Sequence, residues 1–206
     1  MTKVAIFSAI SIVLYFIKFP LPFLFPDFLD IQFSNLPAIL GGLVMGPIGG
    51  VLIVVIRTLI KLPFTSTAGV GELADLLIGV STVLASSLVY RKLKTKKGGA
   101  IALALGVVVW VAMALLANGT FLIEFYKEVA GIDAVIGMCK KVLPSMNESN
   151  FMRLYLLGAI LPFNLLLSTL VSLVTFFVYK RVSVLFKKEL FQGKTTANAN
   201  DENINH

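Results

Sequence analysis

Between Ala100 and Phe125 the chain carries one charged side chain, Glu124. A run of this kind leaves few choices. A hydrocarbon core of about 30 Å takes about 20 helical residues to cross, and backbone at that depth must satisfy its own N–H and C=O groups. Further apolar runs lie at Val4–Phe19, Asn35–Lys61, Val70–Tyr90 and Arg153–Phe186. Charged residues make up 14% of the chain and hydrophobic ones 57%, against about a quarter charged in soluble domains. The pattern predicts an all-α integral membrane protein in the lipid bilayer, with one membrane domain over residues 1–190. The tail 191–206, with almost no apolar content, is expected to be disordered. The first run has the length of a signal peptide but no small-x-small cleavage site, so it reads as a retained helix.

The formal charge of +7 does not point to nucleic acid, because the basic residues are placed as membrane flanks. Arg91, Lys92, Lys94, Lys96 and Lys97 follow one apolar run, and Lys180, Arg181, Lys187 and Lys188 follow another. Both sets belong on the cytoplasmic side. Asn35–Lys61 is long enough for one tilted span, or for two helices divided at Gly46-Pro47. Two helices give six spans with both termini cytoplasmic. They also put Asp27/Asp30, the 63–69 loop and the acidic 124–152 segment together on the outer face. That arrangement is the expectation adopted here.

The stretch 19–50 holds the least regular backbone. Pro20, Pro22 and Pro26 forbid a continuous helix. Ser34-Asn35-Leu36-Pro37 then reads as a helix start with a polar cap and proline in the first turn. Gly42, Gly46 and Gly50 recur every four residues, which predicts one bare helical face, with a break at Pro47. Irregular backbone at membrane depth survives only where protein buries it or a cavity lies beside it, so this stretch is expected to wall a pocket. The segment 124–150 fits either a partly helical lid or a plain outer loop.

Catalytic patterns are weak. The only histidine is His206 and the only cysteine Cys139, which removes histidine-based metal sites and Ser-His or Cys-His chemistry. Gly193-Lys194-Thr195 resembles the end of a P-loop, but Lys188 stands where glycine is required. Glu72 and Asp75 share a helical face and could do acid–base work in a small membrane enzyme, or be neutralised by Arg57 and Lys61. Asn118 and Asn164 are carboxamides inside spans, able both to donate to and accept from the polar edge of a flat heterocycle. Interhelical hydrogen bonding, or satisfaction of carbonyls freed by Pro162, would equally account for them. Ala5 and Ala9 form a small-xxx-small pair, suited to packing within the protein or to docking another membrane subunit.

The segment SAISIVLYFIKFPLPFLFPDFLDIQFSNLPAILGGLVMGPIGG, followed by GVGELADLLIG, ANGTF and LPFN, resembles the substrate-binding S components of energy-coupling factor (ECF) vitamin transporters, most closely the riboflavin type. The resemblance covers roughly residues 4–187. It implies a six-helix protein of the bacterial plasma membrane that captures a vitamin at its outer face and works with a membrane coupling subunit (EcfT) and two ATPases. It also implies no enzymatic activity and no cofactor, riboflavin or a related flavin being bound as substrate. The family's asparagines match Asn118 and Asn164, and its docking motif matches Ala5 and Ala9. Its loop and third- and fourth-helix motifs fall on Gln32, Phe33, Asn35, Arg57, Gly71, Glu72 and Asp75, and Phe33 and Leu36 would cover the ligand's apolar face. Leu167 stands where the riboflavin binders carry lysine, and Gln32 and Asn35 stand where they carry acids. A related S component for pantothenate, whose carboxylate would suit Arg57 or Lys61, or for a pyridoxine-like compound is the other reading of these departures.

Overall fold

The computed structural model describes residues 1–26, 28–65 and 67–181. The 191–206 tail, Lys187, Lys188 and the Gly193-Lys194-Thr195 motif lie outside the described residues. In order come α1 (Thr2–Phe16), β1 (Lys18–Pro20), β2 (Asp30–Gln32), α2 (Asn35–Met45), α3 (Pro47–Lys61) and α4 (Val70–Leu93). α5 (Lys96–Ala117) passes through a π-helical stretch, Asn118–Leu122, into α6 (Ile123–Ala130), and α7 (Ile132–Lys140) follows. The last helix runs Phe151–Arg181, with a second π-helical stretch at Tyr155–Ile160. Among the described residues four helices are long and apolar enough to cross a membrane, Pro47–Phe64, Val70–Leu93, Lys97–Ala130 and Phe151–Arg181; Thr2–Phe16 and Asn35–Met45 are shorter apolar helices.

The departure from the all-α expectation has a local cause. The proline-broken segment after α1 cannot be helical, so its backbone finds partners by folding back on itself. β1 pairs antiparallel with β2, Phe19 opposite Ile31, and Lys18 closes the hairpin with a 2.9 Å ion pair to Asp30. Ser34 does not cap α2 with its side chain; its hydroxyl accepts instead from Arg57 at 3.1 Å.

The glycine ladder is not one face of one helix. Gly46 sits at φ +93°, a conformation in which glycine is at ease, and Pro47 opens α3 directly after it. α2 and α3 therefore form a hairpin, with Gly42 and Gly50 at its crossing. A β-carbon on Gly50 would stand 2.8 Å from the Ala38 carbonyl oxygen and 2.8 Å from the Gly42 α-carbon. Side chains there would push the helices apart.

The main core gathers Ile39, Val54, Val83, Trp110, Phe163 and Val171 with Phe25 and Ile31 of the irregular stretch. A second core lies at the end of the bundle, where Val135, Ile136 and Cys139 of α7 pack with Ile123, Met146, Phe151 and Tyr155, and Phe28 and Leu29 rest against them. The 124–150 segment is thus a folded cap rather than a plain loop.

Candidate functional site

α2, α3 and α4 bring a charged cluster into the bundle where four-carbon aliphatics would be expected. Arg57 and Lys61, one turn apart on α3, are 0% and 3% exposed. Both reach the same oxygen of Asp75 on α4, at 3.0 and 2.7 Å. Asn35 donates to the other Asp75 oxygen at 3.5 Å. Arg57 also donates to the Ser34 hydroxyl, which in turn donates to Gln32 Oε1 at 3.2 Å. The Tyr15 ring of α1 lies 3.8 Å from the Lys61 ammonium, a cation–π contact.

Two polar atoms of this cluster are buried without a partner: Arg57 Nε and Asn35 Oδ1. An unpaired buried polar group costs about 1–3 kcal/mol. Arg57 Nε is thus an unused donor and Asn35 Oδ1 an unused acceptor. Arg57, Lys61 and Asp75 together carry one excess positive charge, since Glu72 is engaged elsewhere.

Glu72, 5% exposed, is held by hydroxyls. Thr65 and Thr67 donate to its Oε2 at 2.7 and 3.1 Å. Those hydroxyls accept from the loop backbone, Gly69 N–H on Thr65 and Gly71 N–H on Thr67, each at 3.0 Å. Gly71 is required by closeness, because a β-carbon would stand 2.8 Å from Thr67 Oγ1. The hydroxyl-rich loop is therefore a cradle for one carboxylate.

The carboxamides occupy a neighbouring groove between α5 and the last helix. Asn118 donates through Nδ2 to the Ala114 carbonyl at 2.8 Å and accepts at Oδ1 from the Tyr155 hydroxyl at 2.8 Å. Asn164 donates to the Ile160 carbonyl at 2.9 Å and accepts from Trp110 Nε1 at 3.0 Å. Ile160 ends the second π-helical stretch, and the Ala114 carbonyl also accepts from the Asn118 backbone N–H. Trp110 and Asn118 are eight residues apart, about 12 Å along the axis at 1.5 Å per residue. The amides thus face two levels of the groove rather than a single edge. Ala117, beside Asn118, packs with Ala74 of α4, between Glu72 and Asp75, so groove and charged cluster are contiguous.

An aromatic wall closes this region. Phe28 lies 6.0 Å from Tyr126 and 6.4 Å from Tyr155, and Tyr155 stacks on Phe151 at 5.5 Å. Phe33 and Leu36 are half-buried against the main core. Leu167 is buried in that core. Ala5 and Ala9 are apart from all of this, exposed on α1.

Gln32, Asn35, Arg57 and Asp75 therefore meet in one network, Gly71 and Glu72 border it, and Asn118 and Asn164 line the adjoining groove. Thr65, Thr67, Trp110 and Tyr155 complete these contacts without being singled out in the sequence, and Ser34, which reads there only as a helix cap, joins them. For Trp110 a signal existed, a lone tryptophan two turns before Asn118. For Tyr155 none did, because its partner lies 37 residues away.

Comparison with known proteins follows the same lines. The chain is 26% identical over 185 residues to the riboflavin transporter RibU of Staphylococcus aureus (strain TCH60), covering 90% of each. It is 28% identical over 174 residues to the riboflavin transporter FmnP of Bacillus subtilis (strain 168), covering 83% of this chain and 85% of that one. A solved S component of a bacterial ECF transporter superposes with a TM-score of 0.69 at 26% identity, over 90% of this chain and 96% of that chain. The family model for the substrate-specific component of ECF transporters matches residues 1–179. The chain belongs to the ECF transporter substrate-specific components.

Proposed function

We propose that this chain binds riboflavin, or a closely related flavin, from outside the cell and delivers it as the S component of an ECF importer. The observation that carries the reading is the buried Arg57–Lys61–Asp75–Asn35 network with its unpartnered Arg57 Nε and Asn35 Oδ1. Burying such a network inside an apolar bundle is costly unless it serves a ligand. Beside it the Phe28, Tyr126 and Tyr155 rings supply a surface for a flat ring system. Ribityl hydroxyls would pair with the charged network, and Asn118 and Asn164 with ring polar groups at two levels. The similarity to proteins named as riboflavin transporters supports the same ligand.

In this proposal the membrane is the bacterial plasma membrane, crossed six times with both termini cytoplasmic. α2 has 11 residues, about 16 Å of helix. The β1–β2 hairpin and the loop leading to α2 would fill the remaining outer depth. A membrane coupling subunit and two ATPases would supply the energy, the exposed Ala5/Ala9 face of α1 serving as the docking surface. Titration of the purified protein against riboflavin, followed by flavin fluorescence, tests the ligand. Saturable quenching at submicromolar concentration is expected, and pantothenate and pyridoxine are expected not to compete. No quenching, or full competition by either vitamin, overturns the assignment.

A further inference from the structure

The two groove carboxamides are each held in one orientation, and the group that holds the oxygen end is aromatic in both. The logic is one of donors and acceptors. Backbone carbonyls can only accept, so the amide nitrogen must face Ala114 in Asn118 and Ile160 in Asn164. The Trp110 indole can only donate, so Asn164 must meet it with oxygen. Tyr155 donates its hydroxyl to the Asn118 oxygen from the opposite helix; a hydroxyl can also accept, so the Ala114 carbonyl sets the sense of this amide and Tyr155 secures its oxygen end. The arrangement is reciprocal: at one level α5 provides the amide and the last helix the aromatic group, and at the other the roles are exchanged. Each amide retains one N–H and one oxygen lone pair beyond these bonds, at fixed positions.

Resting on the flavin-binding reading above, we propose that Tyr155 and Trp110 are positioning residues: they lock the orientation of Asn118 and Asn164, so that each presents its spare donor and acceptor to the flavin in a single order. Trp110 need not touch the ligand, and Tyr155, whose ring belongs to the aromatic surface beside Phe28, acts on Asn118 through its hydroxyl alone. Without its anchor an amide is held at its nitrogen end alone, so its oxygen is unpaired and free to swing, and a ring with fixed donors and acceptors then meets it out of place for much of the time. Phenylalanine in place of either aromatic residue keeps an apolar ring in the core but removes the polar hydrogen.

The test is a pair of double-mutant cycles on the full-length protein in detergent, read by riboflavin fluorescence titration. Tyr155→Phe is expected to weaken riboflavin binding about tenfold in the parent and less than twofold in an Asn118→Ala background. Trp110→Phe is expected to behave in the same way against Asn164→Ala. Coupling of this size is what positioning through the amide requires; a merely structural role gives equal losses in both backgrounds. Should an alanine variant not fold, riboflavin methylated at its ring imide nitrogen decides. The parent is expected to discriminate against it at least tenfold, and Tyr155→Phe less than threefold. Additive losses, or unchanged discrimination, overturn the inference while leaving riboflavin binding intact. Absence of riboflavin binding by the parent would overturn the ligand assignment itself, and this inference with it.

Discussion

Asp75 accepts from two cations at once, and its removal exposes how the cluster is balanced. In Asp75→Asn the side chain keeps its shape, but Arg57 and Lys61 stay buried with no counter-charge. Breaking a buried pair in this way costs about 3–5 kcal/mol. A drop of many degrees in the thermal unfolding midpoint is therefore expected, against a small change for Glu124→Gln, whose carboxylate meets Lys127 on the exposed surface. Cys139 offers a second residue-level check. Burial in the cap pushes its thiol up to about 11 from an ordinary 9.0, because the thiolate is poorly solvated there. The protonated thiol is thus favoured by folding, and this contribution is complete below about pH 9 and lost as pH rises through about 11. Maleimide labelling of Cys139 at pH 8 is expected to be slow in the folded protein and to accelerate sharply on unfolding.

Among the elements, the α2–α3 hairpin and α7 use glycine in opposite ways. Gly50 meets backbone on two sides, so Gly50→Ala is expected to cost about 1–3 kcal/mol by overpacking. Gly137 of α7 has nothing among the described residues within 4 Å of its missing β-carbon. There Gly137→Ala is expected to stabilise by about 0.4–1 kcal/mol, through the unfolded chain. Denaturation of both variants beside the parent checks the contrast, and equal effects would mean that the hairpin crossing is looser than described. α1 shows a further inversion. Its buried residues are Ser8 and Ser11, while Ile6, Ile10, Val13 and Phe16 are exposed. In lipid that is the expected sense, since apolar side chains lose nothing by facing hydrocarbon and polar contacts hold helices together. Ser11 makes such a contact with the Ser34 carbonyl, tying α1 to the charged cluster.

At the scale of the whole molecule, the charged cluster, the carboxylate cradle and the α7 cap all gather at one end of the bundle. The basic residues Arg91, Lys92, Lys94 and Lys97 follow the opposite end of α4. Positive flanks remain cytoplasmic, so the proposed topology sets the proposed ligand site outside. Single cysteines in a Cys139→Ser background check this in intact cells. Glu148→Cys is expected to react with a membrane-impermeant maleimide from outside, and Thr95→Cys only after permeabilisation. The reverse pattern would invert the proposed topology. The last helix joins the two ends: Tyr155 and Asn164 serve the groove, and Tyr179 meets Tyr90 near the basic residues, the rings 5.3 Å apart.

What the sequence determined by itself follows from short-range rules. Uncharged runs must become helices in lipid, prolines at 20, 22 and 26 must break them, and Gly46-Pro47 must separate α2 from α3, because these constraints act within a few bonds. The residue types of the site were legible for the same reason: an arginine, a lysine or a carboxamide within an apolar run is conspicuous wherever it points. Tertiary structure alone decided the partners. That Asp75 takes both Arg57 and Lys61, that Glu72 goes instead to Thr65 and Thr67, and that Tyr155 and Trp110 hold the two asparagines depends on which helices lie side by side. Side-chain pairing over separations of 5 to 54 residues leaves no periodic trace in the chain, since it is set by loop conformation and helix packing and not by spacing along one helix.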